Sequence, residues 1–178
     1  MSVTLIDPYR FATFDSDYEL ISTTVLGTTA SSVTFSSIPS DYKHLQIRMV
    51  ARANSAALNL FVRFNSSTTG YAWHYLEGNG SAVNSGAGST QSRMILGVIA
   101  QAANRFSPSI MDILDYANTS KNTTVRQLSG ADNSSNVWVG LHSGFWNNTN
   151  AITDIELTAG TSDSFVSGSR FSLYGIRG

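Results

Sequence analysis

Apolar and polar residues alternate with a period of two in short runs along most of this chain. Leu45, Ile47 and Met49 alternate with Gln46 and Arg48, which is the pattern of a strand with one buried face. A second such run follows at 58–64, and the short link between them predicts a β-hairpin. Similar runs bring the predicted strands to eleven, at 18–26, 32–35, 45–51, 58–64, 71–76, 93–99, 110–116, 123–128, 137–141, 152–157 and 171–176.

Glycine- and serine-rich turns such as Asn79-Gly80 and Ser143-Gly144 separate these runs. Many short strands joined by such turns predict an all-β fold, an antiparallel β-sandwich that is jelly-roll-like. The segment 93–105 also has helix-like apolar spacing, but its isoleucines and valines and the lack of a helix cap favour a strand. Residues 78–92 are small and polar and predict a surface loop. We therefore expect one sandwich domain over 17–178.

Residues 1–16 precede the first regular strand, yet they hold Tyr9, Phe11 and Phe14. One interpretation is a frayed end or an extra edge strand on the chain's own domain. The other is an extended N-terminal arm whose rings anchor on a neighbouring subunit, because large rings supply buried area at a low cost in entropy. The segment has neither the basic leader nor the apolar run of a secretory signal, so we expect the protein to be made in the cytoplasm.

Composition narrows the possible partners. Charged residues make up 13% of the chain, about half of the roughly 25% found in typical soluble proteins, while serine and threonine supply about a quarter of it. The net charge of −1 provides no basic stripe for nucleic-acid phosphates and no polybasic segment for an anionic membrane. There is no cysteine, so stability has to come from burial or from association with other chains.

The residues that could carry catalysis are sparse. Three histidines are present, His44, His74 and His142, and the sequence 141–144 (Leu-His-Ser-Gly) only distantly resembles a nucleophile motif. We interpret the histidines as partly exposed strand residues and predict that the protein is not an enzyme. A carboxylate pair for glycoside hydrolysis would have to come from Asp112 and Asp115, which we place at solvated strand and turn positions.

Metal and cofactor sites are not predicted either. Asp15, Asp17 and Glu19 alternate and would share one face of an extended strand, about 7 Å apart. Such a face could hold calcium with help from backbone carbonyls, but the glycine and the distal glutamate of a dedicated calcium loop are missing. No two histidines have the spacing of zinc ligands.

The aromatic residues are the best non-catalytic candidates. Trp73 and Tyr75 share one face of a predicted strand, and Trp138 lies on the face opposite Val137, Val139 and Leu141, which we expect to point inward. Exposed rings in a row could stack on a sugar or pack on another subunit. Alternatively, a second sheet buries them.

Two stretches carry a family resemblance. They are residues 18–48, including Tyr-Glu-Leu-Ile at 18–21, Ser-Ser-Val-Thr-Phe-Ser-Ser-Ile-Pro at 31–39 and Tyr-Lys-His-Leu-Gln-Ile-Arg at 42–48, and the ending Gly-Ser-Arg-Phe-Ser-Leu-Tyr-Gly-Ile at 168–176. Together they resemble tailed-phage virion structural proteins that are common in cyanophage and marine phage genomes, of the capsid cement or decoration type. The matching pieces are core strands, so no functional residue is transferred.

The resemblance implies a β-sandwich subunit of the virion, assembled in the cytoplasm of the bacterial host. It also implies a homotrimer or another symmetric oligomer that binds the major capsid protein or other virion proteins. The first hypothesis is a cement subunit that stabilises the capsid lattice. The alternative is a tail-associated or tail-fibre domain that recognises host glycans through Trp73, Tyr75 or Trp138. An enzyme acting on cell-wall polymer is a third possibility with little support from the residues.

Overall fold

The computed structural model describes residues 16–54, 59–133 and 137–178, and these residues form β-strands and no helix. No helix that could cross a membrane is found among them. The strands in chain order are β1 (Tyr18–Val25), β2 (Ser32–Phe35), β3 (His44–Ala51), β4 (Asn59–Phe64), β5 (Tyr71–Gly78), β6 (Val83–Gln91), β7 (Met94–Val98), β8 (Ser107–Leu114), β9 (Thr123–Asp132), β10 (Val137–Trp146), β11 (Ile155–Ala159) and β12 (Arg170–Ile176).

The strands form two sheets of unequal size. One has eight strands in the order β1-β12-β3-β8-β9-β10-β5-β6, and the other has four in the order β2-β11-β4-β7. Neighbouring strands are antiparallel throughout both sheets. The predicted all-β antiparallel sandwich is therefore confirmed, and its jelly-roll-like connectivity stays a prediction. The predicted N-terminal arm, with Tyr9, Phe11 and Phe14, falls almost entirely outside the described residues.

The predicted hairpin between β3 and β4 is wrong, because the two strands belong to different sheets. β3 pairs with β12 and β8, whereas β4 pairs with β11 and β7. Each strand turns one apolar face inward, with Leu45 and Ile47 on β3 and Leu60 and Val62 on β4, all fully buried. Two strands that face each other across a sandwich core have the same alternation as two strands of a hairpin.

The core between the sheets includes a cluster of three rings. Phe64, Tyr71 and Trp146 have ring centroids 6.0 to 6.3 Å apart, and Tyr71 stacks on Trp146 with their planes 16° apart. The Tyr71 hydroxyl accepts a hydrogen bond from the Phe64 N–H at 2.8 Å and donates one to the Phe64 carbonyl at 3.2 Å. This buried tyrosine thus ties β5 to the end of β4.

A buried polar strip fixes β7 against the large sheet. Gln127 Nε2 donates to Ser109 Oγ at 2.6 Å, and Ser129 Oγ accepts a hydrogen bond from the Val98 N–H at 3.2 Å. Gly97 lies over this strip with a φ of +92°, and a Cβ there would come within 2.0 Å of Gln127 Nε2. The two elements approach so closely because position 97 has no side chain. The strand predicted at 93–99 is confirmed as β7.

The segment 78–92, predicted as a loop, is largely the strand β6. It pairs with β5 and forms one edge of the eight-stranded sheet. Its residues are mostly small and polar, so it lacks the apolar alternation that marks the other strands. Gly86 and Gly88 are needed here because the rings of Tyr75 and Trp73 lie on them: a Cβ at either glycine would come within 2.6 Å of a ring atom.

Candidate interaction surface

The large sheet turns one face toward the core and the other toward solvent, and the solvent side carries a row of apolar residues across four strands. Ile110 on β8 pairs with Leu128 on β9, which pairs with Leu141 on β10, which pairs with Leu76 on β5. A second row beside it includes Val139 and Val83. We call this surface the outer apolar face and define it as Leu76, Val83, Ile110, Leu128, Val137, Val139 and Leu141.

The residues of the outer apolar face are well exposed. Val83 is 74% exposed, Val139 59%, Leu128 56% and Leu141 55%. All seven residues are exposed, from 46% for Ile110 to 74% for Val83, and they adjoin one another on neighbouring strands, as in the contiguous apolar patches that mark interaction sites. Two depressions between its strands are open to solvent, and open depressions suit a broad partner better than a small ligand, which binds in a more enclosed cleft.

A chain of polar contacts borders this face. Arg48 Nε donates to Gln46 Oε1 at 2.7 Å, and Gln46 Nε2 donates to Asp112 Oδ1 at 2.8 Å. Arg126 Nε donates to the other oxygen of Asp112 at 2.9 Å. The Arg48 guanidinium also lies 4.9 Å from the centroid of the Tyr174 ring. An apolar centre with a hydrogen-bonded polar rim is the anatomy of a protein–protein interface.

β10 is oriented opposite to the prediction, and three of its apolar side chains therefore belong to the outer apolar face. Val137, Val139 and Leu141 were expected to point inward, and they point outward, with more than half of each side chain exposed. The inward positions are Trp138, Gly140, His142, Gly144 and Trp146. A Cβ at Gly144 would lie 2.8 Å from Met94 Sδ, so the glycine makes room for β7, and Trp146 supplies the buried area. The tight fit at Gly144 and the burial of Trp146 therefore set the inward side of β10, although the apolar side chains of Val137, Val139 and Leu141 are left in solvent.

Trp73 and Tyr75 do lie together, as their spacing predicts. Their rings stack with centroids 5.9 Å apart and planes 13° apart, and both are half-buried on the inward side of β5. Trp138 is elsewhere, packed partly buried against Val98, Ala100 and Ala131. The three aromatic residues therefore do not form a single exposed row.

The histidines occupy three different environments. His142 was interpreted as partly exposed, and that is wrong: its side chain is fully buried, with Nε2 3.3 Å from Glu77 Oε1. Ser143 points to the opposite side of β10, so the sequence 141–144 forms no nucleophile–base pair. His44 Nδ1 accepts a hydrogen bond from the Asp115 N–H at 2.9 Å, and His74 is exposed on the outer side of β5.

Asp112 and Asp115 lie on β8 and in the turn after it, as predicted, but they are not solvated: their side chains are only 18% and 17% exposed, and both form ion pairs. Asp112 is bound by Gln46 and Arg126 as described above, and Asp115 contacts Lys121 and Lys43. Lys121 is the main reason that the pKa of Asp115 is lowered.

The predicted acidic row at 15–19 can be followed only in part, since Asp15 lies outside the described residues. Glu19 accepts a hydrogen bond from Arg177 Nη2 at 2.6 Å, and this contact is the main reason that the pKa of Glu19 is lowered. Within 16–54, 59–133 and 137–178, no group of three or more histidine, aspartate or glutamate side chains is arranged to hold a metal ion.

Comparison with models of known protein families, with characterised proteins and with solved structures yields no match to this chain.

Proposed function

We propose that this protein is a virion structural subunit of a tailed phage that acts by protein contact, as a cement subunit on the capsid. The outer apolar face is the observation that carries the proposal. The resemblance of residues 18–48 and 168–176 to phage virion proteins is the reason for proposing that the protein acts in a phage virion. The partner is the major capsid protein or another virion protein.

The properties of the face favour a protein as its partner. Its seven residues are uncharged, and charged residues stand only at its border, where Asp112 is paired with Arg126 and Asp132, opposite Val137, is paired with Arg105. Phosphate groups of nucleic acid or anionic lipid would find no cation at its centre. An apolar protein surface loses water on contact without leaving a charge unpaired.

A single outer apolar face would give only moderate affinity. The loss of translational and rotational freedom on association costs about 4–15 kcal/mol and offsets much of the gain from burying apolar surface. Many copies on a symmetric lattice, or several contacts per oligomer, would raise the occupancy through avidity.

The N-terminal arm has a part in the proposal. Tyr9, Phe11 and Phe14 would anchor the subunit on a neighbour and add contacts separate from those of the outer apolar face. The triple change Tyr9→Ser, Phe11→Ser and Phe14→Ser should then weaken capsid binding at least tenfold and leave the unfolding temperature unchanged. Unchanged capsid binding by the triple variant would show that these three rings do not contact the partner.

The experiment for the outer apolar face is co-sedimentation with capsids assembled from the major capsid protein of the same phage. The double variant Leu128→Glu/Leu141→Glu should lose binding, because burying two carboxylates on an apolar partner is costly. The matched control is Thr124→Glu/Ser143→Glu, on the same two strands and the same side but outside the face. Binding by the first variant at the wild-type level, or no binding by the wild type, would contradict the proposal.

A second candidate function rests on the stacked pair of Trp73 and Tyr75. Two nearly parallel, half-buried rings could bind a sugar by stacking, as expected for a tail-associated domain that recognises host glycans. A glycan array would test this, with Trp73→Ala as the variant. Selective binding that Trp73→Ala abolishes would favour this function over the cement role, and an array without selective binding would remove it.

A further inference from the structure

The two outermost strands of the large sheet differ in how well they are protected. β1 has a register irregularity between Leu20 and Ser22, and the ion pair of Glu19 with Arg177 stands beside it. Irregular pairing and charge are common devices that keep an edge from pairing with another chain. β6, at the opposite edge, is nine residues long and holds neither a charged residue nor a proline. Its own register irregularity lies near its end, between Gly88 and Gln91, and leaves 83–88 regularly paired.

The other sheet offers shorter edges. Its edge strands are β2, with four residues, and β7, with five. A strand of β6's length leaves several alternate backbone N–H and C=O groups pointing away from β5, where a further strand could accept and donate hydrogen bonds. Among the edges of the described sheets, β6 is therefore the one best suited to pair with another strand.

The side chains around β6 also favour close approach of a second strand. Gly86 and Gly88 allow the Tyr75 and Trp73 rings to lie across β6 toward the sheet edge. A strand added beside β6 would cover the exposed parts of these two rings and so add apolar burial to the backbone hydrogen bonds. On the other side of β6, Val83 belongs to the outer apolar face.

We propose that β6 joins two copies of this chain by antiparallel pairing of β6 with β6 of the second copy. An antiparallel strand pair is compatible with a two-fold axis perpendicular to the sheet, so identical surfaces meet and the contact closes with two subunits. The uncharged strand pairs with itself without repulsion. The inference goes beyond the proposed function and does not depend on it.

The two-fold axis has a consequence for the outer apolar face. Because the axis runs perpendicular to the sheet, both copies present this face on the same side, and the two faces become neighbours across the β6 pair. A dimer would then offer about twice the apolar area of one subunit on the same side, in two patches that flank the β6 pair. The resemblance to phage proteins implies a trimer or another symmetric oligomer, and β6 pairing specifies a dimer.

Cysteine crosslinking tests the geometry directly, because the chain has no cysteine of its own. Single variants Ser85→Cys, Ala87→Cys and Ser89→Cys place one thiol along β6. In an antiparallel pair only the residue on the axis lies opposite its own copy, at a distance that a disulfide can bridge, and the proposed axis passes beside residue 85, 87 or 89. Mild oxidation should therefore crosslink at least one of the three into a covalent dimer. Ser22→Cys on β1 and Ser143→Cys on β10 are the controls and should stay monomeric on a denaturing gel.

The mass in solution provides the second measurement. Light scattering of the full chain should give the mass of two chains, and Ala87→Lys, which places a lysine on each copy near the axis, should give the mass of one. A wild-type mass of one or three chains would overturn the proposal, as would crosslinking of the controls at the same rate as the β6 variants. Capsid binding is measured separately, so a dimer that fails to bind capsids contradicts only the proposed function.

Discussion

Leu128 on β9 lies directly opposite Leu141 on β10 on the solvent side of the large sheet, and the two side chains are 56% and 55% exposed. Cross-strand pairs of this kind usually stabilise a sheet by packing against each other. Here the pair continues on both sides to Ile110 and Leu76. The row thus gains contacts within the sheet and still presents about half of its surface to water.

Polar substitution of Leu128 and Leu141 should reduce the exposed apolar surface with little effect on the stability of the fold. We expect Leu128→Ser/Leu141→Ser to change the free energy of unfolding by less than about 1 kcal/mol, because both side chains lie outside the core. The fluorescence of a dye that binds exposed apolar surface should fall severalfold. Val125→Ala, an inward position on β9, is the contrast and should cost about 2 kcal/mol. A large loss of stability in the double serine variant would contradict the outward orientation.

The strand pattern could be predicted from the sequence more completely than the pairing of the strands. Alternation at 45–51 and at 58–64 identifies one buried face on each strand, and both faces are buried as expected. The alternation carries no information about which strand pairs with which. It therefore predicts a hairpin equally well for two strands that face each other across the core. β6 was missed because its alternation involves glycine rather than apolar residues.

The candidate surface depended on the orientation of β10, which alternation alone could not decide. Val139 and Leu141 occupy one side of this strand, and His142 and Trp146 occupy the other. The inward side is set by the close approach of β7 at Gly144 and by the ring cluster around Trp146. Both are long-range contacts. The one usable signal was the alternation of glycine with large residues on a single face, at 138–146.

The Tyr71 hydroxyl should contribute measurably to stability. Tyr71→Phe removes the acceptor of the buried Phe64 N–H, and an unsatisfied buried donor costs about 1–3 kcal/mol. Urea unfolding should show a loss in this range. Tyr18→Phe is the control, since the Tyr18 side chain is 43% exposed, and it should change the midpoint little. Equal midpoints for Tyr71→Phe and the wild type would mean that water or a backbone shift replaces the hydroxyl.

Gly97 should tolerate a side chain poorly. Gly97→Ala would place a Cβ 2.0 Å from Gln127 Nε2 at a φ of +92°, and we expect a loss of about 3 kcal/mol from overpacking and backbone strain together. Gly27→Ala is the matched control, because no atom lies within 4 Å of the added Cβ. Adding Gln127→Ala should relieve the clash but not the backbone strain. Similar thermal midpoints for the two glycine variants would contradict the close approach of β7 to β9.

Asp115 should make stability depend on pH in the acid range. Its pKa is lowered in the folded state, chiefly by the hydrogen bond from Lys121 and further by Lys43. The unfolded chain therefore takes up the proton first as the pH falls. The stabilisation is present at neutral pH and is lost as the pH falls from about 4 through the folded-state pKa.

Lys121→Met should reduce this dependence, because the pKa of Asp115 moves back toward its usual range. The lysine is 57% exposed, so solvent screening limits the expected change to about 1 kcal/mol or less between pH 7 and pH 3. Urea midpoints at several pH values measure it, and Lys121→Arg, which keeps the charge, should follow the wild type. If Lys121→Met and the wild type lose stability in parallel on acidification, this ion pair does not link folding to pH.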